Sequence, residues 1–201
     1  IADKQQRWRL WRQRKGKDEA DPERPHRSVF TDRMKVSLRD RDLNNVAAIF
    51  DELCALYPED PGPLAYKLLI EVAQIARNPD AAIETLEEML SRGYAPDVET
   101  HKKVILAYSR ASRDREALNW LKMLALEEGD EFMRESGNYL YNIVLKGAAM
   151  KGDEEIFHEA WAGMRAVNAV PCERTLAAFM TMESKIGTSP TVEAVWNHEE
   201  F

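Results

Sequence analysis

Apolar residues recur through this chain with a period near 35. Phe50, Leu86, Leu121, Trp161 and Trp196 stand 36, 35, 40 and 35 residues apart. Three residues after each stand Leu53, Met89, Leu124 and Met164, with Glu199 breaking the series. Four residues before each stand Val46, Ala82, Ala117, Phe157 and Val192. Offsets of three and four share one face of an α-helix. A single helix pair cannot bury such a face and must stack on the next pair, so this period specifies a solenoid of helix pairs. Function is then expected on the long inner surface of the stack.

From Ser28 onward the pattern is helical, and no alternating β-branched run is long enough for a strand. Five repeats are expected, near 28–63, 64–98, 99–138, 139–173 and 174–201. The second is the clearest. Leu64–Ala76 forms its first helix, Asn78-Pro79-Asp80 its turn, and Ala81–Ser91 its second helix, which Gly93 stops before Pro96-Asp97. The third runs Glu99–Ala111, a turn at Ser112-Arg113-Asp114, then Arg115–Leu126. An insertion, Glu127–Gly137, follows it and accounts for the longer spacing; it reads as a contact loop or as slack. The fourth runs Tyr139–Met150, a turn at Lys151-Gly152-Asp153, then Glu154–Val167. The fifth begins at Arg174, turns at Gly187-Thr188-Ser189-Pro190 and ends near Phe201. The first is degenerate, with Arg33 where later repeats have Leu69, Val104 and Val144, as expected of a terminal repeat with one unpartnered face.

Charge divides the chain. Residues 1–17 hold seven bases and one acid, against 28 bases and 35 acids in all, so an arm of +6 precedes a body of −13. Two prolines, Pro22 and Pro25, mark residues 1–27 as an extended arm. Its core, Arg7-Trp8-Arg9-Leu10-Trp11-Arg12-Gln13-Arg14-Lys15, interleaves bases with indoles. Guanidinium groups pair with phosphate and indoles stack on unpaired bases or fill a protein groove. Arg7, Trp8, Arg9, Trp11, Arg12, Arg14, Lys15 and Lys17 are therefore the expected RNA contacts of the arm, the alternatives being a protein groove or an idle tail.

Other chemistries find little support. No run of 18 apolar residues offers a membrane span. Cys54 and Cys172 lack C-x-x-C partners, and His158-Glu159 lacks the second histidine of a zinc peptidase helix, so no metal and no cofactor are expected. A disulfide is not expected between cysteines three repeats apart, and two free thiols fit a reducing compartment. His101 stands where Tyr66 and Tyr141 stand and reads as a packing residue. Glu87-Glu88 and Glu154-Glu155 read as solvated. No phosphate loop or nucleophile elbow appears, and no enzymatic activity is expected. The chain begins at Ile1 rather than Met, which fits an upstream segment such as a targeting peptide.

Several segments share one pattern. Ala65-Tyr66-Lys67-Leu68-Leu69-Ile70, Ala82-Ile83, Leu86-Glu87-Glu88-Met89 and Gly93-Tyr94-Ala95-Pro96-Asp97 resemble the pentatricopeptide repeat, as do Tyr141-Asn142-Ile143-Val144-Leu145, Lys151-Gly152-Asp153 and Met164. The resemblance covers about residues 28–201. It implies an all-α, right-handed helix-pair solenoid and an organellar RNA-binding protein, mitochondrial in the matrix more than chloroplast. It also implies base-reading pairs: Lys67 with Asp97, Lys102 with Gly137, and Asn142 with Cys172. Only Asn142 and Asp97 carry the residue types usual at their positions, and they fall in different pairs. Positions one and two turns beyond the readers add Arg110, Lys146 and Lys185, which suggest a mildly basic inner face.

The preferred reading is a non-catalytic structural or assembly subunit of an organellar ribonucleoprotein, most of all the mitochondrial ribosome. Its arm would contact RNA and its solenoid would contact proteins of the complex. The alternatives are a single-stranded RNA-binding factor in processing, editing or stability, and a pure protein scaffold.

Overall fold

A computed structural model describes residues 25–187. Within them stand eight α-helices and no strand. They are α1 Arg27–Arg39, α2 Leu43–Leu56, α3 Pro63–Ile75, α4 Pro79–Ser91, α5 Val98–Arg110, α6 Asp114–Lys151, α7 Glu154–Ala166 and α8 Glu173–Ile186. The expected arm up to residue 24, and the second helix of the fifth repeat, lie outside the described residues.

One turn design joins the two helices of each repeat. Arg41, Arg77, Ser112 and Gly152 have φ of 59°, 57°, 64° and 72°. The residue after each donates its N–H back to a carbonyl five positions earlier: Asp42 to Ser37, Asn78 to Ala73, Arg113 to Tyr108 and Asp153 to Ala148. This is the Schellman closure, which satisfies carbonyls that the helix end leaves free. The following helix is then capped locally. Asp42 accepts from the Asn45 N–H, Asn78 from that of Ala81, and Asp153 from that of Ile156.

The periodic columns of the sequence are the core. Val46, Ala82, Ala117 and Phe157 are buried, as are Phe50, Leu86 and Leu121, and Leu53, Met89, Leu124 and Met164. Trp161 is partly buried against the same core. Internal contacts divide the chain into two units. The first comprises residues up to 72 together with 85–95, and the second comprises 73–84 and 96 onward.

In the first unit Phe30, Met34, Val46, Ile49 and Leu53 fill the space between α1 and α2. Phe50 meets Tyr66 edge-on at 5.2 Å. The Tyr66 hydroxyl donates to Glu88 at 3.0 Å, and Arg92 donates to the same carboxylate at 3.0 Å. Glu88, exposed as expected, also holds α3 to α4 through these bonds. Arg33 does not reach the core and pairs instead with Glu52 at 2.9 Å. Its neighbours Val29 and Val36 stay exposed, which is the open face expected of the degenerate first repeat.

In the second unit α6 packs on α5, α7 and α8. Phe179 anchors the far side, meeting Phe157 at 4.7 Å and Trp161 at 5.0 Å, both edge-on. His101 packs as expected, buried beside Trp120 and Phe132. The expected insertion at Glu127–Gly137 requires correction. It is neither loop nor slack, because helix continues through it on both sides of Gly129, whose φ of 83° and ψ of 178° kink α6. Glu127, Glu128, Glu131 and Glu135 are good helix formers, and only the kink residue needs a glycine. The extra residues lengthen two helices.

Candidate nucleic-acid interface

The first helices of successive repeats in the second unit are α5, the part of α6 after Gly129, and α8. Residues four apart on each lie one above another, so each helix contributes a column of side chains. On α5 the column holds Lys102 and Arg110, on α6 Asn142 and Lys146, and on α8 Ala177 and Lys185. The structure brings some of the expected site residues together and separates others.

Asn142 and Cys172 meet, with Asn142 Nδ2 at 3.4 Å from Cys172 Sγ. Asn142 nevertheless is only 6% exposed. Its Nδ2 also donates to Asn138 Oδ1 at 2.6 Å, and the Cys172 thiol donates to that oxygen at 3.3 Å. Its Oδ1 has no hydrogen-bond partner among the described residues, a cost of roughly 1–3 kcal/mol for a buried acceptor. The expected exposed reader is therefore a buried amide in a cluster with Asn138, Cys172 and Thr175. Asn138 was missed in the sequence, although it stands one helical turn before Asn142.

The Lys102–Gly137 pair does not form. Gly137 is buried within α6, where an added Cβ would lie 3.2 Å from Ala169 Cβ and 3.4 Å from Val167 Cγ2. It is a close-packing position for the end of the repeat, and the helical path through the insertion puts it there. Lys102 turns to Tyr139, with Nζ 4.6 Å from the ring centroid, and pairs with Glu99 at 3.1 Å. Tyr139 first, and Glu99 after it, hold the Lys102 ammonium above its ordinary range despite partial burial. Arg174 approaches the same ring, with Cζ 5.7 Å from the centroid. A half-buried tyrosine thus carries cations from α5 and α8. Tyr139 and Arg174 each stand three residues before a reader position, in a column with Glu99. That shared offset is the signal that would have found them.

Asp97 is spent locally, since its Oδ1 accepts from Thr100 N–H at 2.9 Å and Thr100 Oγ1 at 2.6 Å as the cap of α5. Lys67 lies half-buried on α3 in the first unit. Arg110, Lys146 and Lys185 are exposed. Lys146, Lys185 and Arg174 have no carboxylate partner among the described residues. The bases of the second helices contrast with these. Arg115 pairs with Glu155 at 2.7 Å and with Glu159, and Lys122 also pairs with Glu159. Arg113 pairs with Asp80 and Glu116, each at 2.8 Å. Glu155 is exposed, as expected of a solvated acid, and forms a surface ion pair with Arg115. Cationic charge therefore stays open at Lys146 on α6 and at Arg174 and Lys185 on α8, while that of Arg113, Arg115 and Lys122 is neutralised. The basic arm, from Arg7 to Lys17, lies outside the described residues. Among the described residues no three His, Cys, Asp or Glu cluster to hold a metal, and no helix is long and apolar enough to cross a membrane.

No family model and no curated protein matches this chain. Among solved structures, the pentatricopeptide repeat domain of Arabidopsis thaliana protein-only RNase P 1, determined in complex with tRNA, is similar to it. The TM-score is 0.62 at 17% identity, over 84% of this chain and 86% of the other. At that identity the similarity is one of fold: an all-α helix-pair solenoid of the pentatricopeptide type.

Proposed function

We propose that this chain is a non-catalytic RNA-binding protein that holds unpaired RNA along the first-helix face of α5, α6 and α8. The observation that carries this reading is the Lys102–Tyr139–Arg174 cluster, with exposed Arg110, Lys146 and Lys185 beyond it. Ammonium and guanidinium groups supply the attraction to phosphate that dominates affinity for nucleic acid. A tyrosine ring and a planar guanidinium offer stacking surfaces that any base can use. The tRNA in the similar structure supports RNA as the ligand class.

We further propose assembly into an organellar ribonucleoprotein, in the mitochondrial matrix first of all, in preference to base-by-base reading. The burial of Asn142 and Gly137 supports this, since neither can present its polar groups to a base as an exposed reader would. The acidic body and basic arm fit a subunit whose arm grips RNA while its helices meet proteins. A free-standing specificity factor is the rival reading.

Fluorescence anisotropy with labelled unstructured and duplex RNA pools tests the proposal. The full chain is expected to prefer the unstructured pool. Tyr139→Leu, which keeps apolar bulk, and Arg174→Ala are each expected to weaken it by about 1–3 kcal/mol, roughly 5- to 150-fold. An intact fold with unchanged affinity in both variants would remove the first-helix face from RNA binding. A marked preference for one sequence, lost in Asn142→Ala, would favour the specificity factor.

A further inference from the structure

We propose that α1 is a self-association surface, on which two copies of this chain pack α1 against α1, antiparallel about a two-fold axis. The inference does not depend on what the first-helix face of α5, α6 and α8 binds. It starts from the repeat columns. Val29 stands in register with Ala65, Thr100, Leu140 and Thr175, and all four of those are buried. Arg33 stands in register with Val104, Val144 and Phe179, and Val36 with Ala107 and Met182, and these are buried too. A position that is buried in later repeats and open in the first is one that a neighbouring repeat covers. In the first repeat Val29 and Val36 are 47% and 48% exposed, and Arg33 is exposed between them. The two valines and Ile49 of α2 line a groove, beside which Asn45 Nδ2 donates to Ser37 Oγ at 2.8 Å.

Charge and spacing select the occupant. Val29, Asp32, Arg33 and Val36 lie along one face of α1, whose 13 residues, Arg27–Arg39, have their midpoint at Arg33. A two-fold axis passing between Asp32 and Arg33 sets Val29 opposite the partner's Val36 and Asp32 opposite the partner's Arg33. Symmetry makes each pair occur twice, so the face complements itself in both charge and apolar contact. Arg33 already pairs with Glu52, and Asp32 with Lys35, each at 2.9 Å and at the surface. A guanidinium carries several N–H donors, so Arg33 can keep Glu52 and add the partner's Asp32. The α1–α2 hairpin, Arg27–Leu56, holds five bases and five acids, so two copies meet there without the repulsion that a chain of net charge −7 otherwise brings. The arm, at +6, finds no such match on a neutral hairpin. A helix of 13 residues is about 20 Å long. The interface therefore belongs to the small class, under about 1,200 Å² in total, and the dimer is expected to dissociate on dilution.

Sedimentation velocity of the full chain in reducing buffer, from about 1 to 200 μM, reads the equilibrium between monomer and dimer. The parent chain is expected to pass from one to the other over that range. Val36→Glu puts an unpaired carboxylate against the partner's Val29 and is expected to weaken dimerisation at least about tenfold. Asp32→Arg sets arginine against arginine and Arg33→Asp sets aspartate against aspartate, so each alone is expected to weaken it at least about tenfold. An equimolar mixture of those two chains brings opposite charges together at both positions and is expected to restore dimer to near the parent level. All three residues are exposed, and circular dichroism checks that each variant keeps the parent fold. If Arg33→Asp fails to fold because it faces Glu52, the other two variants still decide the matter. A parent chain that is monomeric throughout, a dimer that a folded Val36→Glu chain leaves intact, or a mixture of folded chains that recovers no dimer would each overturn the proposal. A parent monomer that dimerises only after deletion of residues 1–17 would overturn it as well and give the groove to the arm.

Discussion

His101 stands in the column of Tyr66 and Tyr141, and the three residues show what one position in a repeat demands. All are buried aromatic rings, yet only the histidine leaves two ring nitrogens with no hydrogen-bond partner among the described residues. Burial lowers its pKa from the ordinary 6.5, and the nearby acids Glu128 and Asp97 oppose this more weakly. The unfolded chain takes up a proton near pH 6.5 while the folded chain resists it. Unfolding therefore binds protons, and this contribution to stability is lost as pH falls below about 6.5. His101→Phe keeps the ring and removes the titration. Urea midpoints at pH 7.5 and 5.5 are expected to differ less in that variant than in the parent chain; an equal difference would show that other groups cause the acid loss. Leu121 tests the packing of the same core. It is fully buried, and Leu121→Ala is expected to cost about 2–5 kcal/mol in the same urea assay.

Helices and turns carry most of what the sequence made legible. The apolar columns could be followed because burial enforces one spacing, and every helix from Pro63 onward except α6 begins and ends within a few residues of its expected place. The turns repeat a backbone shape with different residues, which sequence alone disguises: Arg77 and Ser112 take the left-handed conformation that Gly152 takes without strain. Gly152→Ala is expected to cost about 1 kcal/mol through the backbone alone, because its Cβ would meet nothing nearer than 3.7 Å. Ser112→Gly is expected to be neutral or slightly stabilising. Thermal denaturation of both variants checks the pair, and equal losses would contradict the shared turn design. The kinked α6 was not legible, because an acidic run around Gly129 suits a loop as well as a helix until neighbouring helices decide. Tyr139 and Arg174 escaped notice for a related reason. Each looks like an ordinary surface residue, and only the approach of α5 and α8 to α6 makes them neighbours. Gly137 was misread because a glycine's role depends on what approaches it, here Ala169.

At the scale of the whole molecule, the question is how a chain of net charge −7 would bind a polyanion. Two local sources of positive charge are available: the arm, at +6, and the open cations of the first helices. They make different predictions because counterion release counts the phosphates that each source neutralises. For single strands the slope of log affinity against log salt is about −0.7 per phosphate contact. Substituting Lys146 and Lys185 together with alanine removes at most two contacts, so the slope should become shallower by up to about 1.4. Deleting residues 1–17 removes seven bases and should flatten it by up to about 5 if all of them meet phosphate. A salt series on the full chain, the double variant and the deletion therefore apportions binding between the two surfaces. If the deletion abolishes binding and the double variant changes nothing, the arm grips RNA and the first-helix face is left for protein contacts, as in an assembly subunit. If the deletion leaves a weaker affinity that still prefers unpaired RNA, the first-helix face binds RNA directly and the arm adds only charge. Where both changes are silent because the parent chain itself binds no RNA at low salt, the proposed function falls and a protein scaffold takes its place.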